Sequence, residues 1–200
     1  MKFGNFMNES SLSRIWRHIS KHDSGTISAF RYGRDCGNGE RYTKKDNMDR
    51  NVILKAKLLT KGYSVTPIKG TYIENYGSDT QLDVDEDSFL VVDVKDSGKL
   101  KRDLMKLGEM FEQDSITYAD VGGYKYYLIG TNKCPKSYPG YKKEKLEGKG
   151  IFGKKGQFHS KIGGRPFVFK SVSGNMSDIS EYSIAEIRSI EHLSESMEDV

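Results

Sequence analysis

The segment from Glu86 to Thr131 constrains the fold most, because three kinds of pattern follow one another in it. Residues 88–94 form a short, nearly continuous apolar run, which is typical of a strand covered on both faces. The apolar residues after it recur at helical spacing: Leu100, Leu104, Leu107 and Phe111. Two further strand-like segments are joined by Gly122-Gly123, a two-residue loop typical of hairpins. The segment is therefore predicted to fold as strand, helix and hairpin.

The chain before this segment supplies two predicted helices and two predicted strands. Residues 10–21 have the apolar spacing of a helix, and residues 26–32 are a strand candidate. Thr43 is a suitable N-cap for a second helix. Its apolar residues were expected to face the core: Met48, Val52, Ala56 and Leu59, joined by Leu54 and Leu58. Residues 63–74 resemble a strand that Pro67 interrupts, which favours an edge or bulged position.

The order of these elements, a helix followed by βαββαββ, predicts an α+β fold. We expect a single mixed or mainly antiparallel sheet with helices on one face. The best match among known topologies is a ferredoxin-like βαββαβ core with additions.

Charge divides the chain into a basic domain, residues 1–170, and an acidic tail, residues 171–200. The tail holds seven acids and one base, so its net charge is −6 and that of residues 1–170 is +10, within a total of +4. The tail is predicted to carry one amphipathic helix through its regularly spaced apolar residues: Ile184, Ile187, Ile190 and Leu193.

Several classes of protein are disfavoured. No apolar run approaches the ~20 residues of a membrane span, and the N-terminus lacks the apolar core of a signal peptide. Cys36 and Cys134 occur in unrelated contexts, so they are predicted to stay unpaired in a reducing cytoplasm. His18 and His22 have no third ligand nearby in the sequence, so we predict no metal site and no cofactor.

Residues 132–164 are rich in lysine and glycine with aromatic residues between them, and we predict a long basic flap. Lysines neutralise phosphates, glycines permit close backbone approach and aromatic rings stack on bases. A solvated, lysine-rich loop is the alternative interpretation. The predicted nucleic-acid contacts are Lys133, Lys136, Tyr141, Lys142, Lys143, Lys154, Lys155, Phe158, Lys161 and Arg165.

A second candidate set consists of polar residues at the ends of predicted strands and helices. Its members are Arg31, Arg50, Glu86, Gln113 and Ser115. The arginines are suited to bidentate binding of an anionic group, and Glu86 is suited to acid–base chemistry or to orienting an arginine. The alternative is an internal network that fixes the sheet to its helices, since buried polar groups need partners.

A family pattern runs through roughly residues 10–170. Its parts are Ile27-Ser-Ala-Phe-Arg31, Asn47 with Arg50-Asn51, Gly62-Tyr63, Gly70 with Glu74, Glu86-Asp-Ser-Phe89, Gln113-Asp-Ser115 and Gly130-Thr131. The order of these parts resembles an uncharacterised family of small proteins from tailed bacteriophages and bacteria. The resemblance implies a phage accessory protein in an infected bacterium and transfers no catalytic residue.

These observations favour a non-catalytic protein that binds nucleic acid or a nucleotide-like anion through the basic flap. One alternative is a protein–protein inhibitor or effector of a host bacterial enzyme or defence system. The other is an enzyme acting on a nucleotide or nucleic acid, centred on Arg31, Arg50, Glu86 and Gln113.

Overall fold

The computed structural model describes residues 15, 17–74, 82–121, 125–135, 137–152, 158–162 and 165–170. Within 71–74, 82–85 and beyond residue 146 only the backbone is described. The predicted tail helix lies outside the described residues. Among the described residues, neither helix is long and apolar enough to cross a membrane.

Among the described residues there are two full α-helices, eight strands and one 3-10 helix (Asp35–Gly37), and residues 15 and 17–19 are also helical. The helices are α1 (Lys44–Thr60) and α2 (Leu100–Met110). The strands are β1 (Ser24–Ser28), β2 (Ser64–Glu74), β3 (Leu82–Val92), β4 (Ser115–Ala119), β5 (Tyr126–Gly130), β6 (Glu144–Phe152), β7 (Phe158–Ile162) and β8 (Arg165–Lys170). Thr43 starts α1 as predicted: its hydroxyl accepts from the Asp46 N–H, and the Asp46 carboxylate accepts from the Thr43 N–H.

The first four strands confirm the predicted fold class and its ferredoxin-like core. They pair antiparallel in the order β4–β1–β3–β2, with α1 connecting β1 to β2 and α2 connecting β3 to β4. The remaining strands are the additions. They extend the sheet from β4 through β5, β6, β8 and β7 back to β2, so the pairing closes on itself.

The two faces of this closed sheet bury different partners, because strand side chains alternate between faces. Phe89 and Val91 pack in the cluster that contains the apolar residues of both helices. Leu90 packs on the opposite, inner face, against Ile15 and Ile19. Helices α1 and α2 therefore lie on one face as predicted, whereas the segment around residues 15–19 lies on the other.

The orientation of α1 corrects the prediction of its buried side. Leu54 and Leu58 are buried as expected. The other buried positions are Asn47 and Asn51, and the apolar stripe that was expected to face the core is exposed instead. The reason is that both asparagine amides bond to the chain at the end of β1, which turns that side of α1 toward the sheet.

The basic flap is also different from the prediction. Two of the eight strands, β6 and β7, lie within residues 132–164, and they take part in closing the sheet. The many lysines, glycines and glutamates of β6, together with the short length of β7, concealed these strands, because lysine, glycine and glutamate have low β propensity.

Candidate functional site

Glu86 lies on the inner face of the sheet, opposite to both helices. The alternation along β3 places it on the same side as Ser88 and Leu90. Gly70 on β2 is directly across from it, and Ser160 on β7 is directly across from Gly70. Residues facing each other in an antiparallel pair share one side of the sheet. The register therefore surrounds Glu86 with small residues.

The environment of Glu86 disfavours its charged form. Burial raises the pKa of this carboxyl above its usual value, and a hydrogen bond with Ser28 acts in the opposite direction. The negative charges of Asp87 and Asp114 raise the pKa further. Such a site retains a proton more readily than an exposed glutamate, and a bound cation would stabilise its ionised form.

Hydroxyl groups lie on the same face along β1 and β4, with Ser28 closest to Glu86 and the Thr26–Thr117 pair further along the strands. The Thr26 and Thr117 hydroxyl oxygens are 2.7 Å apart, and the Thr26 N–H donates to the Thr117 hydroxyl at 2.7 Å. The Ser28 hydroxyl donates to the Asp87 carbonyl at 2.9 Å and accepts from the Phe30 N–H at 3.0 Å. Close to Glu86 this face therefore offers the hydroxyls of Ser28 and Ser88, an arrangement suited to a cationic, polar ligand.

Arg31 connects this region to the end of β4. Its Nη1 lies 3.3 Å from Asp114 Oδ1 and also donates to the Glu112 carbonyl, while its Nε donates to the Gly33 carbonyl at 3.0 Å. Asp114 is one of the two acids that act on Glu86. Arg31 therefore pairs with an acid whose charge also acts on Glu86.

Arg50 and Gln113 bind backbone carbonyls. Arg50 donates to the Ala29 carbonyl at 2.8 Å, to the Tyr42 hydroxyl at 2.9 Å and to the Phe111 carbonyl at 2.6 Å. Gln113 Nε2 donates to the Phe30 carbonyl at 2.9 Å. These contacts fit the alternative of an internal network, and a ligand-binding role for the two residues stays a prediction. Ser115 begins β4, where it faces Gly130 on β5.

Two buried asparagines of α1 complete the network and were missed as site residues. Asn47 accepts from the Arg31 N–H at 2.9 Å and donates to its carbonyl at 3.0 Å. Asn51 accepts from the Ala29 N–H at 2.8 Å and donates to the Asp87 carbonyl at 2.8 Å. Because Asn51 joins the end of β1 to the residue after Glu86, it helps to fix the position of that carboxyl. Their i, i+4 spacing was the available sequence signal.

Replacing Arg50 with alanine should lower the free energy of unfolding by about 2 kcal/mol, because it removes the donor to the Ala29 carbonyl and one of the two donors to the Phe111 carbonyl. Urea unfolding followed by circular dichroism measures the change. Arg102→Ala is the matched control, since this arginine also lies on a helix but is exposed, and we expect a change below about 0.5 kcal/mol. Equal effects of the two substitutions would contradict the network.

The two cysteines correct the prediction that they stay unpaired. Cys36 and Cys134 form a disulfide across 98 residues of sequence. It joins the loop between β1 and α1 to the segment that follows β5. Arg31 Nη2 lies 3.7 Å from Cys134 Sγ, so the disulfide adjoins the network around Asp114.

The described part of the flap makes contacts within the protein. Lys133 and Lys142 lie 5.1 and 5.2 Å from the Tyr141 ring centroid, and the Tyr141 hydroxyl donates to Glu109 at 2.8 Å. Lys143 contributes backbone bonds with Gly130 and Gly140. The remaining predicted nucleic-acid contacts lie outside the described residues or have only their backbone described: Lys136, Lys154, Lys155, Phe158, Lys161 and Arg165.

Residues 25–170 match the model of the S-adenosylmethionine lyase family. The chain belongs to this family. The match begins within β1 and ends at the last residue of β8, so it covers both helices, all four additional strands and Glu86. The comparison with curated proteins found no match.

The family membership corrects three predictions. An S-adenosylmethionine lyase family implies an enzyme acting on S-adenosylmethionine (SAM), so nucleic-acid binding as the main function is wrong, and so are the nucleic-acid partner and the accessory role. The family named by the match carries an activity in its description, unlike the uncharacterised family that the sequence resembles. Among the alternatives, an enzyme acting on a nucleotide is the nearest, because SAM contains adenosine.

Proposed function

We propose that this protein is a SAM lyase, which breaks a carbon–sulfur bond of SAM without water or an oxidant as a reactant. The electron pair of that bond stays on sulfur, and a carboxylate oxygen of the substrate's own amino-acid part bonds to the carbon in its place, which closes a lactone. The match over residues 25–170 carries this proposal. The sulfonium departs as a neutral thioether, so the bond that breaks already has a good leaving group. Such chemistry requires accurate positioning of the substrate more than strong acid–base assistance.

Glu86 is the residue best suited to hold the substrate. SAM carries a sulfonium and an ammonium cation, and Glu86 is a carboxyl on an inner face with the Ser28 hydroxyl beside it. A charge-assisted hydrogen bond of this kind contributes about 1.5–3 kcal/mol. The ionised Glu86 thus provides a binding group for a cation.

The ammonium is the better partner for Glu86 than the sulfonium. Cleavage removes the positive charge from sulfur, so a carboxylate held against sulfur would stabilise the substrate more than the transition state. A carboxylate bound to the ammonium keeps its interaction throughout the reaction. It then orients the amino-acid part of SAM without opposing bond cleavage.

Incubation of the purified protein with SAM tests the proposal. Chromatography should show loss of SAM with equimolar formation of a thioether nucleoside, which is 5′-methylthioadenosine if the bond on the amino-acid side breaks. Binding without turnover, or unchanged SAM beside a protein-free control, would refute lyase activity.

SAM affinity should rise with pH. Because the pKa of Glu86 is raised, the ionised form that binds a cation becomes populated only as pH passes that raised pKa. Calorimetric titrations between about pH 5 and 7, where the SAM ammonium stays protonated, measure the dependence. In Glu86→Gln the affinity should be weak and flat across this range. If SAM affinity rises equally with pH in the wild type and in Glu86→Gln, the group that titrates is not Glu86.

We also propose that the protein is phage-encoded and acts in the host cytoplasm. The resemblance described above supports the origin, and the cytoplasm is where cells use SAM. A reducing cytoplasm opens disulfides, so thiol counting on freshly lysed cells reports the state of Cys36 and Cys134 there. Recovery of the protein in the envelope fraction would contradict this location.

A further inference from the structure

Helix α1 carries an apolar stripe on the side away from the sheet. Met48 is 52 % exposed, Val52 is 68 % exposed and Leu59 is 51 % exposed, and Ala56 between them is exposed as well. The spacing of these residues puts them on one line along the helix, about 16 Å long. The buried side of α1 lies opposite. A stripe of this length is a surface on which another amphipathic helix can pack.

The surroundings of the stripe are basic. Lys45 lies at its N-terminal end and Lys55 beside its middle, with Lys44 further round the helix. Asp49 is the acid on this side. Two copies of this surface would bring like charges together, so charge favours an acidic partner over a second copy.

The acidic tail has the composition that such a surface requires. Residues 171–200 carry a net charge of −6, and the apolar residues within 184–193 recur at helical spacing with Glu186 and Glu191 between them. The tail also starts close enough to the stripe of α1 for residues 184–193 to reach it. Residues 171–183, which follow the end of β8, span up to about 43 Å when extended, against a radius of gyration of about 15 Å for a domain of this size.

We propose that residues 184–193 bind the exposed stripe of α1 within the same molecule. The tail's isoleucines pack on Met48, Val52 and Leu59, and its glutamates face Lys45 and Lys55. Because the segment is tethered, even weak intrinsic affinity keeps the stripe covered. This inference is independent of the reaction that the protein catalyses, since it uses no residue of the Glu86 site.

Carbodiimide cross-linking of the full-length protein, read by mass spectrometry, tests the proposal. It joins lysines directly to nearby carboxylates, so links from Lys45 and Lys55 to Glu186 and Glu191 are expected. The Lys101–Glu144 ion pair, 2.9 Å apart, is the internal standard for reaction yield. Val52→Asp should reduce the α1–tail links about tenfold. It removes a valine that the docked tail would bury, and it adds a negative charge that repels the acidic tail.

Matched variants separate docking from damage to the fold. Val121→Asp introduces the same change at a valine that is 56 % exposed and lies away from α1, and it should leave the links unchanged. Ile187→Asp alters only the tail and should remove them as Val52→Asp does. Mixing isotope-labelled and unlabelled protein identifies links between molecules. Absence of α1–tail links, their insensitivity to Val52→Asp and Ile187→Asp, or links mainly between molecules would each overturn the proposal.

Discussion

Replacing Glu86 with glutamine should lower kcat/KM for SAM cleavage by about 100-fold, the cost of losing one charge-assisted hydrogen bond to the substrate. Glutamine keeps the size of the side chain and can still bond to Ser28, but it has no charge to offer a cation. The measurement is initial rates over a range of SAM concentrations. If Glu86 binds the ammonium, the loss should appear mainly in KM, because the interaction is similar in substrate and transition state.

The same substitution should not destabilise the ligand-free protein. The folded-state pKa of Glu86 lies above the unfolded value, so the unfolded chain gives up its proton first and folding becomes less favourable as pH rises through the folded pKa. Glutamine does not titrate, so the variant does not lose folding stability in this way as pH rises. At neutral pH the variant should therefore unfold at the same or a higher urea concentration than the wild type.

Asp87→Asn is the matched control for this prediction. Asp87 is the next residue on β3, its side chain points to the other face, and its carboxylate pairs with Lys69 on the surface. Its bonds to Ser28 and Asn51 use the backbone carbonyl, which the substitution retains. Near-normal activity is expected. Equal losses in the two variants, or a Glu86→Gln protein that is fully active, would remove Glu86 from the site.

Reduction of the Cys36–Cys134 disulfide should lower the free energy of unfolding by up to about 4.7 kcal/mol. The bond closes a loop of 98 residues, and a cross-link over about 100 residues restricts the unfolded chain by that amount in the chain-entropy model. Urea unfolding of the wild type with and without dithiothreitol measures the difference. We expect the reduced protein to unfold at a much lower urea concentration.

The double variant Cys36→Ser/Cys134→Ser provides the control. It should unfold like the reduced wild type, and dithiothreitol should have no further effect on it. Single serine variants are unsuitable, because the remaining thiol can pair between molecules. Two free thiols in the untreated wild type, together with unfolding that does not respond to reductant, would show that the bond does not form.

The sequence predicted the core of the fold because strong local patterns carried it. The apolar run of β3, the 3.6-residue period of α2 and the Thr43 cap each match the structure. Of the four additional strands, β5 was predicted as the second strand of the hairpin, whereas β6 and β7 were harder to assign. Glycine, lysine and glutamate make up seven of the 14 residues of β6 and β7, and long-range pairing holds these strands in place. Long-range pairing leaves little trace in local composition.

The orientation of α1 shows why apolar periodicity alone can mislead. The helix has apolar residues on two sides, so hydrophobicity did not distinguish the buried side from the exposed one. Asn47 and Asn51 determine which side of the helix is buried, because their side chains bond to the chain at the end of β1. Buried amides that satisfy backbone groups are an orienting signal that a count of apolar residues ignores.

Glu86 was recognisable in the sequence as a charged residue beside an apolar run, but its surroundings were not. Its distance along the chain from Ser28 and Asp114 is large, and only the strand pairing brings them together. The disulfide is a similar case, because Cys36 and Cys134 are far apart in the sequence and lie in loops. Both features form only in the folded protein, where residues that are distant in the sequence come together.

The most direct test of the central claim is SAM turnover in water enriched in ¹⁸O. A lyase releases an amino-acid fragment whose oxygens all come from SAM, whereas hydrolysis puts one ¹⁸O on the carbon that leaves sulfur. Samples quenched within the first turnovers and analysed by mass spectrometry exclude later reactions of the fragment with water. The account predicts a fragment free of ¹⁸O, formed as fast as SAM disappears. A fragment carrying ¹⁸O at the enrichment of the water would contradict it.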